Sequence, residues 1–354
     1  MAYYRAELAH SVDCGYRGLM ARKAKAGQAR LPQPDNDFLQ INGVMKRKGI
    51  SDAKRPMLDA IKKILADNRA YWPLDDRTIH YNLVSNPPLR HASKADSRYR
   101  NDLASYKDTT DLLTRARIAG LIDFECIADS TRTVETWWLN PDVGSFVARE
   151  MRGFLTLYQR DRQQSQPHHI EIVGEKNTLK SSIHDVASER CIPYTLGRGY
   201  CSLEPRYQMA KRFKASRKGK LIVLVISDFD PEGENIPHSF VRSMRDDFDI
   251  KSIGHRKVCL TYEQVKERDL PNPFEAKKSS SRYPEFAAKY GNHVHEVEAL
   301  PVAERAQLLA QAVDKEVDMD AYNAEVEAEK QDLEQLEAIR ETATKAINRV
   351  LKRQ

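Results

Sequence analysis

The feature that most constrains this chain is an apolar run that ends in acidic residues. The segment LIVLVI at 221–226 is rich in β-branched residues and contains no polar side chain. Such a run is typical of a strand that is buried on both faces of a parallel sheet. The residues SDFDPEGE follow directly, so the sequence predicts a strand that delivers Asp228 and Asp230 to its carboxyl end. Pro231 and Gly233 then turn the chain into a helix.

Further strand-like segments precede and follow this run. The sequence predicts strands at 169–174 (HIEIVG) and 192–196 (IPYTL) before it, and at 254–260 and 293–297 after it. Residues 206–213 predict a helix between two of these strands. Alternation of this kind predicts an α/β fold with a doubly wound, Rossmann-like parallel sheet. Because such sheets bind ligands at the carboxyl ends of their strands, we expect the functional site there.

Acidic residues occur at two of these predicted strand ends. Asp228 and Asp230 are two positions apart, so both leave the strand on one face. Glu175 follows the earlier strand, and we expect it beside the aspartates as a metal ligand or a general acid–base. Glu171 is the competing carboxylate, but strand alternation buries it or turns it away. Neighbouring carboxylates repel each other, and Mg²⁺ or Mn²⁺ is the usual cation that stabilises such a pair. The alternative is an acidic turn that only caps a helix.

The part of the chain before residue 160 predicts a different unit. Residues 54–69 have helical apolar spacing, and Asp75 and Asp76 supply an N-cap for RTIHYNLVS. A longer helix is predicted over about 97–119, and two strand-like segments follow, LIDFECIAD and TVETWWL. This order of elements is that of a winged-helix domain, although many small α+β domains share it. Residues 143–160 predict one more helix, and about 302–353 are predicted to be helical.

Charge, cysteine content and hydropathy indicate which partners, metal sites and cell compartment to expect. The formal net charge is +6, and two basic clusters, Arg22-Lys23-Lys25 and Lys46-Arg47-Lys48, precede residue 50. This pattern favours double-stranded DNA as partner, although solvated helix faces would also explain it. The 5 cysteines are scattered without a CxxC motif, which argues against a thiolate metal site. No long apolar run or signal pattern occurs, so we expect a cytoplasmic protein that does not bind membranes and is nucleoid-associated in a bacterium or archaeon.

These segments resemble a known family. Glu175 after a first strand, with DFDPEG about fifty residues later, is similar to the Toprim domain of topoisomerases, bacterial primases and related nucleases. The intervening TLGRGYCSLEPRYQMAKRF resembles a segment of the topoisomerase VI A subunit and of the meiotic double-strand-break transesterase. The family's glycine-rich and arginine positions correspond here to Gly197, Gly199, Tyr200 and Arg206. HEVEALP, which contains Glu296 and Glu298, resembles a late Toprim segment of smaller phage- and plasmid-type relatives.

The resemblance implies a winged-helix domain that carries a catalytic tyrosine. Tyr81 falls on that position in DRTIHYNLV, and His80 replaces the first aromatic residue of the family's pair. The implied activity is Mg²⁺-dependent DNA cleavage by a homodimer, in which each Tyr81 attacks one strand beside the partner's metal site. The products would be double-strand breaks with 5′-phosphotyrosyl linkages. No GxxxxGK[ST] motif occurs, so strand passage would require a separate ATPase subunit.

The predicted site residues divide into three groups. The expected catalytic residues are Tyr81, Glu175, Arg77 and His80. The expected metal ligands are Glu175, Asp228, Asp230 and Glu232, of which Glu232 comes from the PEGE sequence. The expected DNA contacts are Arg115, Arg117, Arg198 and Arg206.

The predicted domain order follows from these motifs. We expect a basic N-terminal arm and helix over 1–69 and a winged-helix DNA-binding domain over 70–160. A Toprim domain is expected over 168–318 and a C-terminal helix over 319–354, which we expect to dock rather than to form a sustained coiled coil.

Two other functions remain open from the sequence. A Toprim nuclease would hydrolyse DNA with a metal-activated water and leave Tyr81 as a core aromatic residue. A non-catalytic DNA-binding protein would use the acidic cluster only for structure. The nearest alternative nucleophiles to Tyr81 are Tyr71 and Tyr99, which flank the same predicted unit.

Overall fold

The structure is a computed structural model that describes residues 49–127, 137–268, 270 and 274–351. Residues 1–48 of the arm and helix predicted over 1–69 lie outside these residues, and so does most of the segment TVETWWL. The described helices that precede the sheet are α1 (Arg55–Asp67), α2 (Asp76–Ser85), α3 (Leu103–Ile118) and α4 (Val143–Gly153).

Short polar side chains fix where the helices α2 and α3 begin. The Asp75 carboxylate accepts hydrogen bonds from the backbone of Arg77 and Thr78, both at 2.9 Å, which confirms it as an N-cap. Asp102 caps α3, so this helix begins at residue 103 and not near 97. The helices α1 to α3 pack around one apolar core, which we call the N-terminal core. Its fully buried members include Met57, Ile61, Ile79, Leu83, Leu112 and Leu113.

The strand predicted for LIDFECIAD is wrong over Phe124–Cys126, which form a 3₁₀ helix. The Asp123 carboxylate accepts a hydrogen bond from the backbone of Glu125 at 3.0 Å. Such a local side chain–backbone bond competes with sheet pairing. In this segment only Ile127, among the described residues, makes a β-bridge, which is parallel and joins it to Leu74. The helix predicted over 143–160 ends earlier, at Gly153.

The centre of the fold is a four-stranded, all-parallel sheet with the strand order β2-β1-β3-β4. Its strands confirm the mixed α/β class and the four predicted strand positions. The strands and the helices that connect them are β1 (His169–Gly174), α5 (Lys180–Glu189), β2 (Tyr194–Leu196), α6 (Leu203–Ser216), β3 (Leu221–Ile226), α7 (Pro231–Asp246) and β4 (Ile253–Cys259).

Helices cover both faces of this sheet. Leu221–Ile226 is buried at every position, as its unbroken apolar sequence predicts. On one face Ile222 and Leu224 share a core with α5, and on the other Val223 and Val225 pack with α6 and α7. We call the core on the α5 side the sheet core.

The chain after β4 completes the fold with short elements and two helices. These elements are α8 (Tyr262–Glu267), β5 (Phe274–Glu275), α9 (Tyr283–Tyr290), β6 (His293–Val294), α10 (Val302–Asp314) and α11 (Met319–Leu351). The strand predicted over 293–297 is therefore only two residues long, and Val297–Ala299 form a 3₁₀ helix. No helix in the described ranges is long and apolar enough to cross a membrane.

The helix α10 joins the two cores. Val302 belongs to the N-terminal core, whereas Leu309 and Val313 belong to the sheet core. Arg305 lies between them and is fully buried. The charges of Lys176 and Arg305 lower the pKa of Glu298 beside the sheet against the effect of burial. Burial raises the pKa of Asp75 at the start of α2, and the charge of Arg305 only opposes that rise. A buried cation therefore lies at the junction of the two cores.

Candidate functional site

The carboxyl ends of β1 and β3 lie side by side. Gly174 is opposite Ile226 in the parallel register, so the residues that follow leave the sheet together. Glu175 accepts a hydrogen bond from the backbone N–H of Asp228 through Oε2 at 2.8 Å. The structure thus brings together the two acidic strand ends that the sequence predicts.

The three carboxylates at this edge affect one another electrostatically. Burial, together with the charges of Glu175 and Glu298, raises the pKa of Asp228 to about 7. Burial, together with the charge of Asp230, raises the pKa of Glu175 as well. Asp230 caps α7 and accepts the backbone N–H of Gly233 at 2.6 Å. Protons therefore bind to Glu175 and Asp228 more readily than to isolated carboxylates.

Gly233 lets the strand, the turn and α7 pack closely. A Cβ atom at this position would lie 2.1 Å from the carbonyl oxygen of Asp228. The carbonyl of Gly233 accepts a hydrogen bond from Ser227 Oγ at 2.9 Å. The glycine of the DPEG sequence is therefore required by a close approach of backbone to backbone, which fixes Asp228 relative to Asp230.

Lys176 is a cation that joins Asp228 to two further carboxylates, Glu296 and Glu298. Its Nζ lies 2.9 Å from Asp228 Oδ1, 2.7 Å from Glu298 Oε2 and 3.6 Å from Glu296 Oε2. Burial acts to lower its pKa, but the charges of these three carboxylates raise it above the usual range. The Glu298 side chain is fully buried, and it also accepts a hydrogen bond from Thr178 at 2.6 Å. Sequence reasoning did not assign a role to Lys176.

The helix α2 brings Arg77 and Tyr81 to the same place. These residues are four positions apart and lie on one face of the helix. Arg77 pairs with Glu296 at 3.2 Å. Burial raises the pKa of the Tyr81 hydroxyl well above its usual range, and the charge of Glu296 and a side-chain hydrogen bond with it act in the same direction. The candidate nucleophile thus lies against the acidic residues of its own chain, whereas the resemblance implies that it acts beside the metal site of a partner. Tyr81 is 6% exposed.

His80 lies on a different side of α2 from Tyr81. Its two ring nitrogens are 2.7 Å from the Tyr99 hydroxyl and 3.1 Å from Asn101 Oδ1. The Tyr99 hydroxyl is also 2.6 Å from Thr109 Oγ1, and burial lowers the pKa of His80. His80 and Tyr99 therefore form a buried polar network inside the N-terminal unit, where they stabilise packing around Tyr81.

Glu232, the fourth predicted metal ligand, belongs to a neighbouring network. Its carboxylate accepts hydrogen bonds from Tyr200 and Ser280, both at 2.6 Å, and from Arg282 at 3.0 Å. These contacts attach residues 276–282 to the first turn of α7. Lys277 is exposed, as is Lys278.

The predicted DNA-binding arginines differ in their surroundings. Arg206 is buried and donates to the backbone of Tyr200 and Ser239, so it holds the glycine-rich segment against α7. Arg115 pairs with Asp111 at 2.7 Å, whereas Arg117 lies over the Phe124 ring at 5.0 Å.

The predicted DNA-binding arginines also differ in how near they lie to the acidic strand ends. The Tyr106 ring, on α3, contacts His80. Arg115 is nine residues further along the same helix, which corresponds to about 14 Å at the rise of an α-helix. Arg198 is exposed beside Gly199, whose N–H donates to the Glu175 carbonyl at 3.1 Å. Of the four arginines, Arg198 is the one that the structure brings near the acidic strand ends.

The chain matches no protein-family model, no curated protein and no solved structure in the three comparisons.

The donor chemistry of the cluster fits a hard divalent cation. Glu175, Asp228 and Asp230 offer carboxylate oxygens, which are the ligands that Mg²⁺ and Mn²⁺ prefer. Burial is the main cause of the raised pKa values of Glu175 and Asp228, and the charges of neighbouring carboxylates add to it. Within the described ranges, no group of three His, Cys, Asp or Glu side chains is already arranged to hold a metal ion. In this arrangement the Lys176 ammonium is the cation that contacts Asp228.

Proposed function

We propose that this chain cleaves double-stranded DNA by metal-dependent tyrosyl transesterification, in the manner of the topoisomerase VI A subunit. The observation that carries the proposal is the position of Tyr81. Although it is far from the sheet in sequence, it lies beside Glu296 and close to the Lys176–Asp228 pair at the carboxyl edge of the sheet. A nucleophile next to a base, adjacent to a carboxylate cluster, is what this chemistry requires.

The proposal assigns the two halves of the chain to known domain types. The helices α1 to α3 would form a winged-helix unit, and the parallel sheet with acidic residues after β1 and β3 would form a Toprim domain. Support for the second assignment is the strand order β2-β1-β3-β4 together with the contact between Glu175 and Asp228. Double-strand breaks would require two copies of the chain, each with Tyr81 on one DNA strand, and strand passage would require an ATPase subunit.

The residues of the chain provide a balanced reaction. Glu296 accepts the proton of the Tyr81 hydroxyl, and the phenolic oxygen attacks a DNA phosphorus. The P–O3′ bond breaks as the P–O(Tyr) bond forms, which leaves a 5′-phosphotyrosyl link. Glu175, whose pKa is raised, gives a proton to the departing 3′ oxygen. Mg²⁺ or Mn²⁺ held by Asp228 and Asp230 would supply positive charge to the phosphate when bound.

Basic side chains around the cluster support DNA as the substrate. Arg77 is half-exposed on the α2 side of the cluster. Exposed Arg198 lies on the Glu175 side, and Lys277 and Lys278 lie next to the anchored Ser280–Arg282 segment. Cations on several sides of an acidic site suit a phosphate backbone that crosses it.

The test is incubation of the purified chain with supercoiled plasmid and Mg²⁺ or Mn²⁺, followed by denaturing electrophoresis with and without protease. We expect linear DNA that carries covalently bound protein in the wild type. Tyr81→Phe removes one oxygen and preserves ring packing, so cleavage and adduct should both disappear while DNA binding persists. The matched control is Tyr99→Phe, which removes a buried hydroxyl from the same unit and should still form the adduct.

A Toprim-type nuclease is the second candidate, and the burial of Tyr81 favours it. A hydroxyl that is buried and has a raised pKa is a weak nucleophile, whereas hydrolysis by a metal-activated water requires no protein hydroxyl. Under this alternative, Tyr81→Phe cuts DNA at the wild-type rate and no protein remains attached. If the wild type binds DNA and never cuts it, both enzymatic proposals are wrong.

A further inference from the structure

Lys176 occupies the position at which a divalent cation would meet the cluster. Asp228 Oδ1 accepts the backbone N–H of Val297 at 2.8 Å and lies 2.9 Å from Lys176 Nζ. The same ammonium is 2.7 Å from the fully buried Glu298 carboxylate. A metal ion that binds Asp228 through this oxygen must take the place of the ammonium, because two cations cannot share it without strong repulsion.

The surroundings of Lys176 explain why it stays in this position. Its side chain is 18% exposed, and a buried ammonium is stable only when carboxylates surround it. The Glu298 carboxylate is fully buried, and Lys176 is the cation that pairs with it at 2.7 Å, while Thr178 donates a hydrogen bond to its other oxygen. Lys257, the other lysine near the site, donates to the Asp228 backbone carbonyl and to Glu234, so it does not contact the Asp228 carboxylate.

We propose that Lys176 is an internal counter-ion that closes the cluster in the metal-free protein, and that metal binding requires its Nζ to leave Asp228. The proposal rests on the function proposed above in taking Mg²⁺ or Mn²⁺ as the ion. Lys176 thereby sets the metal affinity of the site. Once released from Asp228, the ammonium remains next to the site through Glu298 and Glu296 and is available to a DNA phosphate.

The experiment measures Mn²⁺ binding to the full chain by calorimetric titration, without DNA. Lys176→Gln keeps a hydrogen-bond donor for Glu298 and removes the charge, so the Mn²⁺ dissociation constant should fall at least tenfold. Lys176→Arg keeps the charge and should bind Mn²⁺ as the wild type does. Lys257→Gln removes a nearby charge that does not contact the Asp228 carboxylate, and should give a much smaller gain.

A second measurement keeps the proposal testable if Lys176→Gln is unstable without metal. The thermal unfolding midpoint should then rise with added MnCl₂ more in Lys176→Gln than in the wild type, because the ion replaces the lost counter-ion. Mn²⁺ affinity in Lys176→Gln that equals or falls below that of the wild type overturns the proposal, even where the wild type cleaves DNA. Failure of every variant to bind Mn²⁺ overturns both this proposal and the metal-dependent function.

Discussion

Two glutamates four positions apart on the first strand have opposite surroundings. The Glu171 side chain is fully buried, and it pairs with Arg212 at 2.7 Å and His169 at 3.0 Å. Glu175 lies beyond the end of the strand and contacts the backbone of Asp228. The difference arises because Glu171 lies inside the strand, whereas Glu175 follows its last residue, Gly174. Alternation alone would place positions 171 and 175 on the same face.

This pair gives a matched test of the catalytic carboxylate. Glu175→Gln keeps the side-chain shape and removes its proton exchange, so cleavage should fall by about 10²–10⁴-fold with little change in unfolding free energy. Glu171→Gln should instead lower the unfolding free energy by about 1–2 kcal/mol and leave cleavage by the folded protein intact. Rates on plasmid DNA and urea denaturation separate the two effects. Loss of cleavage in Glu171→Gln alone would show that the wrong carboxylate has been assigned.

Sequence reasoning found the residues whose position depends on a strand end. Glu175 and Asp228 follow apolar runs, so the rule that parallel strands end together was enough to place them next to each other. It did not find Lys176 as the central cation, because ion pairs with Glu296 and Glu298 depend on where a 3₁₀ helix far along the chain packs. The burial of Arg206 was missed for a similar reason, since its partners lie on α7.

At the scale of elements, the connection from β3 to α7 is the most constrained part of the fold. The strand ends at Ile226, Asp230 caps the helix, and the Asp228 carbonyl oxygen lies where a side chain at Gly233 would begin. The DPEG sequence predicts this geometry because Asp230 caps the helix, Pro231 begins its first turn, and Gly233 allows the backbone to approach closely. The 3₁₀ helix at Phe124–Cys126 shows the opposite case, in which an apolar alternation was overridden by the local Asp123 turn.

Gly233→Ala tests this connection. The added Cβ would meet the Asp228 carbonyl oxygen at 2.1 Å, so backbone must shift, and we expect a loss of about 3 kcal/mol in unfolding free energy. Metal-dependent cleavage should fall as well, because Asp228 moves relative to Asp230. The control is Gly219→Ala, where a Cβ meets no atom within 4 Å and stability should change by less than about 1 kcal/mol. Equal denaturation midpoints for both variants would contradict this account of the turn.

At the scale of the whole molecule, the segment before β1 fastens the C-terminal helix to the sheet domain. Arg160 pairs with Glu325 at 2.6 Å and with Asp332 at 2.8 Å. Arg162 pairs with Glu329 at 2.6 Å, and the Glu329 side chain is 3% exposed. The sequence predicts a docked helix, and these ion pairs confirm docking along the first part of α11. Its partners could not be predicted, since they are more than a hundred residues away in the chain.

Arg162→Met tests how strongly this helix is attached. The change leaves the buried Glu329 carboxylate without its ion pair, so we expect a loss of about 3 kcal/mol in unfolding free energy. Lys330→Met removes an exposed pair with Glu327 on the same helix and should cost less than about 1 kcal/mol. Guanidinium denaturation measures both. A loss in Arg162→Met no larger than in Lys330→Met would mean that α11 contributes little to stability at this contact.

The buried Arg305 between the two cores has a consequence for how such a protein can evolve. Its guanidinium makes no hydrogen bond within the described part of the chain, and the nearby carboxylates whose pKa its charge affects are Glu298 on the sheet side and Asp75 on the side of the Tyr81 helix. Recombination that replaced either half would leave a guanidinium without one of its counter-charges in the interior, at a cost of several kcal/mol. We therefore expect the two halves to be inherited together, and a change at Asp75 to lower stability unless a change near Arg305 compensates for it.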